Sequence, residues 1–169
     1  MPHVVLVEPE IAPNTGNIGR LCAAVGVPLH LVGRLGFRLD EPRLRRAGCD
    51  YWPFMELHRH DSWPAFRAAW PKLRLVAIEH VPAATIYTAW SFAAVDALVF
   101  GSESTGLAES VLADCAAILS IPMPTGHVRS INLATAAGIV LYEALRQVQQ
   151  WPGPAARQVR ATVPTSGAP

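Results

Sequence analysis

Five short apolar runs, each ended by a turn residue or a polar loop, constrain this chain more than any other feature. They are "HVVLV" (3–7), "PLHLVG" (28–33), "LRLVAIE" (73–79), "DALVFG" (96–101) and "AAILSIP" (116–122). Runs this short and rich in β-branched residues read as buried strands. Segments with helical spacing separate them. Strand and helix in alternation predict an α/β fold, a mostly parallel sheet with helices on both faces.

The helical segments have readable ends. In "NTGNIGRLCAAVG", Asn14, Thr15 and Asn17 are cap-type residues and Gly26 closes the helix. "EPRLRRAG" predicts a short helix, and "SWPAFRAAW" a helix capped by Ser62. "LAESVLADC" follows the fourth run's glycine loop as another helix. The longest helix is expected from about Asn132 to Gln149, with Ser130 as its N-cap. "YWPFMEL" (51–57) is strand-like but carries Pro53, which places it at an edge. The stretch 80–95 reads as a loop with a short helix or strand near "TIYTAWSF". One domain is expected over residues 1–150. Residues 151–169, "WPGPAARQVRATVPTSGAP", read as a disordered tail with many breakers and little to bury.

Half of the 169 residues are hydrophobic (51%) and 16% are charged, enough for a sizeable core and for an apolar interface in an oligomer. No apolar run reaches the roughly 18 residues of a membrane span. "MPHVVLVEPE" lacks the basic start of a signal peptide, which predicts a cytoplasmic protein. Cys22, Cys49 and Cys115 match no zinc spacing and form no even disulfide set. His58 and His60 share a strand face, and "HRH" reads as a solvated strand end rather than a metal chelate. No metal is expected. Between Arg34 and Arg46, five arginines (Arg34, Arg38, Arg43, Arg45, Arg46) face two acids, Asp40 and Glu41. That local excess suits phosphate binding or a solvated helix face.

Ligands of parallel sheets bind beyond the carboxyl ends of the strands. Three polar loops follow three of the runs there: "EPEIAPNTGN", "GSESTG" and "PMPTGHVRS". The glycine loop "FGSESTGL" is neither a GxGxxG dinucleotide loop nor a P-loop. Its Glu103 would repel a polyphosphate, so it suits a ligand with hydroxyls or a cation, or serves as a turn before a helix. An Arg20 sharing a site with Glu103 could hold a phosphate or stabilise a developing oxyanion. Ser130 needs only its capping role, whereas Asn132 in a first helical turn competes with the helix and calls for another reason.

The three segments together resemble the SPOUT superfamily of S-adenosylmethionine-dependent RNA methyltransferases. "EPEIAPNTGNIGRLCAA" is similar to its first motif, "LVFGSESTGL" to its second and "IPMPTGHVRSINLATAAGIVLYEALRQ" to its third. The spacing, the short length and "RLRRAGCDYW" (43–52) resemble the branch that methylates the ribose 2′-hydroxyl of the wobble nucleotide, cytidine or modified uridine 34, of tRNA. The likeness spans roughly residues 3–150. It implies a C-terminal deep trefoil knot whose loops build the cofactor pocket. It implies S-adenosyl-L-methionine as cofactor and S-adenosyl-L-homocysteine as product. Carried over position by position, the cofactor contacts are Ile78, Gly101, Ile121, Met123, Ser130 and Leu133, and the polar catalytic set is Asn14, Arg20, Glu103, Ser130 and Asn132. It also implies a homodimer, for which the small-residue run "LATAAG" (133–138) is suited. The tRNA anticodon arm would then lie across both subunits, with Arg43, Arg45 and Arg46 of one chain serving the pocket of the other.

Other readings stay open at this point. Ribose chemistry looks alike everywhere, so another tRNA position or rRNA is an alternative target. A non-catalytic knotted RNA-binding protein is a second alternative. It predicts loss of Arg20 or of the glycine loop, and both are present.

Overall fold

The computed structural model describes residues 1–38 and 54–148. Seven strands form a single parallel sheet: β1 (His3–Val7), β2 (Leu29–Val32), β3 (Leu57–His60), β4 (Arg74–Ile78), β5 (Thr85–Ile86), β6 (Asp96–Phe100) and β7 (Ala117–Ser120). Their order in the sheet is β3-β2-β1-β6-β4-β7-β5. The helices are α1 (Ala12–Val25), α2 (Trp63–Ala69), α3 (Glu109–Ala113) and α4 (Leu133–Val148), with a 3-10 turn at Tyr87–Ala89. The expected helix "EPRLRRAG", the arginines 43, 45 and 46, Cys49 and the expected tail 151–169 lie outside the described residues.

Both faces of the sheet are covered, as the alternation requires. On one face, Ile18 and Cys22 of α1 and the α4 residues Ala137, Val140, Leu141, Ala144 and Leu145 pack on Val4, Leu6, Leu98 and Phe100. The α4 positions recur at three and four residues, which puts them on one helical face. On the other face, Phe66 of α2 and Val111 of α3 pack on Val5, Val32, Ala77 and Val99.

Two of the sequence expectations need correction, and a third, for 80–95, is met. Helix α1 starts at Ala12, with Ile11 as an N-cap that makes no side-chain hydrogen bond. Asn14 and Thr15 therefore sit buried inside its first turn instead of capping it. The edge strand is Leu57–His60, at the end of the expected run, with Phe54 exposed before it. The edge position itself holds. The segment 80–95 contains the short strand β5 and the 3-10 turn within "TIYTAWSF". Arg74 and the fully buried Asp96 anchor its end through two side-chain hydrogen bonds, and Gln147 of α4 bonds Phe92 N–H and the Trp90 carbonyl.

His58 and His60 are not a solvated end. Register pairs His30 of β2 with His58 of β3. His30 stacks on His3, His58 and His60 with ring centroids 4.8 to 5.4 Å apart. It shares hydrogen bonds with His3 (2.8 Å) and His60 (3.1 Å), and Trp70 and Phe66 close over it. His30 is fully buried, and burial first, then the neighbouring histidines, pushes its pKa down to about 3. Burial also lowers His3 and His60.

Below pH 6.5 the unfolded chain gains a proton at His30 that the folded chain refuses until about pH 3. Stability therefore falls as pH falls through this window. His30 alone accounts for a loss of about 2 kcal/mol between pH 7 and pH 5. Urea unfolding at the two pH values measures it, and equal unfolding free energies would contradict the neutral histidine layer.

Candidate active site

The sheet order decides where a ligand can bind. From β1 the chain builds outward through β2 and β3, then returns to the other side of β1 with β4 and β6. At such a switch point the connecting loops diverge and leave a crevice beyond the strand ends. A cavity of about 500 Å3 lies there. Its wall comes from the loops after β1 (Ile11, Asn14), β4 (Glu79, His80), β6 (Gly101–Gly106) and β7 (Ile121, Met123 and residues 129–133), with Ala136 of α4.

One hydrogen-bond relay ties three of these loops together. The Glu103 carboxylate accepts from Glu10 N–H (2.8 Å), Ile11 N–H (3.3 Å) and Asn14 Nδ2 (2.9 Å). The Asn14 side-chain carbonyl accepts from Asn132 Nδ2 at 2.9 Å. The Asn132 side-chain oxygen then accepts from the N–H groups of Ala134 (2.9 Å) and Thr135 (3.2 Å). Asn132, not Ser130, is thus the cap of α4. Its second amide function gives the reason that a helix start alone did not supply. Glu103 likewise satisfies an N–H at the start of α1, where a carboxylate also gains from the helix dipole.

The glycine loop owes its shape to close contact. A Cβ on Gly101 would overlap the Gly106 carbonyl group and Leu107 N. Ser102 and Gly106 exchange backbone hydrogen bonds at 3.0 and 3.3 Å, and Ser102 Oγ lies 2.7 Å from Thr105 Oγ1. Beneath the loop, Glu79 accepts from Leu107 N–H at 3.0 Å.

Ile78, Gly101, Ile121, Met123, Ser130 and Leu133 all line the cavity, and so do Asn14, Glu103 and Asn132. Arg20 does not. It lies on the exposed side of α1, outside the lining. Sequence reasoning missed Glu79, His80, Phe100, Ile131 and Ala136. Glu79 is the last residue of the run "LRLVAIE" and directly follows β4, and strand-end position was the signal that could have found it. Among the described residues no group of three or more His, Cys, Asp or Glu is arranged to hold a metal ion, and no helix is long and apolar enough to cross a membrane.

A doubly covered parallel sheet with a cavity at its switch point, walled by a glycine loop, is an α/β domain with the kind of crevice in which such folds hold small molecules. The model of the SpoU rRNA Methylase family matches residues 1–142, and the chain belongs to that family. It is 44% identical to the tRNA (cytidine(34)-2′-O)-methyltransferase of Escherichia coli (strain K12), over 88% of this chain and 94% of that protein. The enzyme of the same name from Aeromonas hydrophila is also 44% identical, over 88% and 95%. Among solved structures, one described for the 2-OH methylation of C/U34 on tRNA superposes with a TM-score of 0.79 at 51% identity, covering 87% of this chain and 95% of that one. The SpoU methyltransferase AviRb from Streptomyces viridochromogenes, in complex with the cofactor AdoMet, gives a TM-score of 0.70 at 28% identity, covering 87% and 60%.

The contact at Gly101 makes a test of the loop. Gly101→Ala forces the 101–107 turn apart and should lower stability by about 1–3 kcal/mol, as overpacking does. Urea denaturation measures it; a wild-type midpoint would show that the loop is not closed as described.

Proposed function

We propose that the chain transfers a methyl group from S-adenosyl-L-methionine to the ribose 2′-hydroxyl of nucleotide 34 of tRNA, a cytidine or a modified uridine. The observation that carries this reading is the cavity itself. Its walls come from the three segments whose sequences resemble the motifs of such methyltransferases, and the likeness to the Escherichia coli enzyme extends over 88% of the chain.

The lining suits the cofactor. Ile78, Phe100, Ile121, Ile131 and Leu133 offer an apolar wall for a purine and a thioether chain. Backbone polar groups of the glycine loop, Ser130 and Arg129 offer partners for hydroxyls and a carboxylate. The volume falls in the range of small-molecule sites. Bound there, S-adenosylmethionine supplies a methyl group already activated by a positive sulfur.

The remaining difficulty is the nucleophile, because a ribose hydroxyl is a weak acid. Arg20 is the group assigned to it. A guanidinium with a pKa of roughly 12 or more is a poor proton acceptor but a good stabiliser of a forming alkoxide and a good phosphate ligand. The proton leaves to water or to a phosphate oxygen. Ser130 faces the ligand, whereas Glu103, Asn14 and Asn132 act as positioning residues through their relay. We further read the segment from β7 into α4 as threaded through a preceding loop, a deep trefoil knot.

Two copies would complete the machine in the cytoplasm, since one small domain is a narrow platform for an anticodon arm. A symmetric contact would use the outer stripe of α4, where Thr135, Tyr142 and Arg146 are exposed, Tyr142 by 48%. Arg43, Arg45 and Arg46 would reach the partner's pocket.

Incubating the protein with unmodified tRNA and labelled cofactor, then mapping the product, tests the reading. Methylation is expected at the 2′-oxygen of nucleotide 34. Arg20→Ala should lose transfer by a factor of 100 or more, on the order of one electrostatic donor, while still binding S-adenosylhomocysteine in calorimetry. A methyl at another nucleotide would redirect the substrate, and near-normal turnover by Arg20→Ala would remove that residue from its role.

A further inference from the structure

The turn after β2 carries a feature that the site does not use. Strands β2, β1 and β6 are neighbours in the sheet, so the loops at their carboxyl ends lie side by side. The 33–38 turn is docked onto the loop after β1. Gly36 N–H donates to the Pro9 carbonyl at 3.0 Å. A Cβ on Gly36 would stand 2.7 Å from Glu10 Cα, so the two backbones touch and only glycine fits. Glu10 in turn grips the glycine loop: its carboxylate accepts from Ser104 Oγ at 2.7 Å and from Ser104 N–H at 3.1 Å. Ser104 lines the cavity. The turn is thus a fixed lip, one segment away from the cavity wall.

Arg34 and Arg38 are both exposed, and neither pairs with a carboxylate of the described residues. Of the acids beside them, Glu10 and Glu103 are engaged with Ser104, with the backbone of residues 10 and 11 and with Asn14, and Glu8 lies exposed against Gly33. Two strand spacings separate the ends of β2 and β6, about 10 Å. A few nucleotides of single strand span that distance.

We propose that Arg34 and Arg38 form a phosphate-binding lip that grips the RNA backbone a few nucleotides from the ribose in the cavity. The proposal rests on the reading of the chain as an RNA 2′-O-methyltransferase and adds a site within the subunit that holds the cavity. A planar guanidinium suits a phosphate through paired hydrogen bonds, and a rigid lip fixes where along the strand that phosphate lies. Because phosphates carry no sequence, the lip sets register and affinity and leaves base identity to other contacts.

The experiment compares the wild type with Arg34→Gln/Arg38→Gln, Arg34→Lys/Arg38→Lys and Arg59→Gln. Arg59 is an exposed cation on the neighbouring strand β3, outside the turn. Binding of a tRNA transcript is followed across a salt series, beside methyl transfer and calorimetric binding of S-adenosylhomocysteine. In the Gln double variant, the slope of log affinity against log salt should fall by about 1.4–1.8, two phosphates' worth. KM for tRNA should rise about tenfold or more with kcat nearly unchanged, and cofactor affinity should stay equal. The Lys variant should keep the slope, and so should Arg59→Gln. An unchanged slope in the Gln variant, or an equal fall in Arg59→Gln, overturns the lip. If the wild type binds tRNA with a slope that the Gln variant loses but places no methyl on nucleotide 34, the functional reading fails and the lip stands. If methylation is normal and the slope does not move, the lip alone fails.

Discussion

The Glu103 carboxylate and the two asparagines it reaches, Asn14 and Asn132, hold the rest of the site in place. Four backbone N–H groups from two helix starts and one loop end on this relay. Each would cost roughly 1–3 kcal/mol if buried without a partner. Glu103 serves the start of α1, Asn132 serves the start of α4, and Asn14 joins them. The loops after β1, β6 and β7 therefore have a common hinge. They come from parts of the chain about 90 and 118 residues apart.

Topology makes this relay possible. Only a sheet that places β6 beside β1 brings the glycine loop against the first helix. The crevice that opens there is walled by apolar strand ends and closed by backbone contacts at Gly101. Glu10 and Glu103 at its rim are held by hydrogen bonds to the loops, and Arg34, Arg38 and Arg129 are exposed around it.

Much of this was legible in residue patterns, and the failures have a common cause. β1, β4 and β6 were visible because a doubly covered parallel strand must be apolar throughout. The polar loops after β1, β6 and β7 were visible because strand-end position concentrates ligand chemistry. What stayed hidden was non-local. The start of α1 was placed two residues late because its cap is a carboxylate from β6's loop, not a neighbouring side chain. Ser130 looked like the cap of α4, yet Asn132 holds that place while donating to Asn14. The histidine layer escaped notice because His3, His30, His58 and His60 meet only through strand register. The resemblance named the pocket residues, but the cavity lining does not include Arg20.

The relay is the claim on which this account turns, and a double-mutant cycle tests it most directly. Glu103 and Asn132 are joined through Asn14. Unfolding free energies of Glu103→Gln, Asn132→Ala and the double variant should give a coupling of about 0.5 kcal/mol or more, as for residues in one network, and Asn14→Ala should abolish it. Additive single effects, with no dependence on Asn14, would mean that the loops are held independently and that the relay is not the hinge of the site.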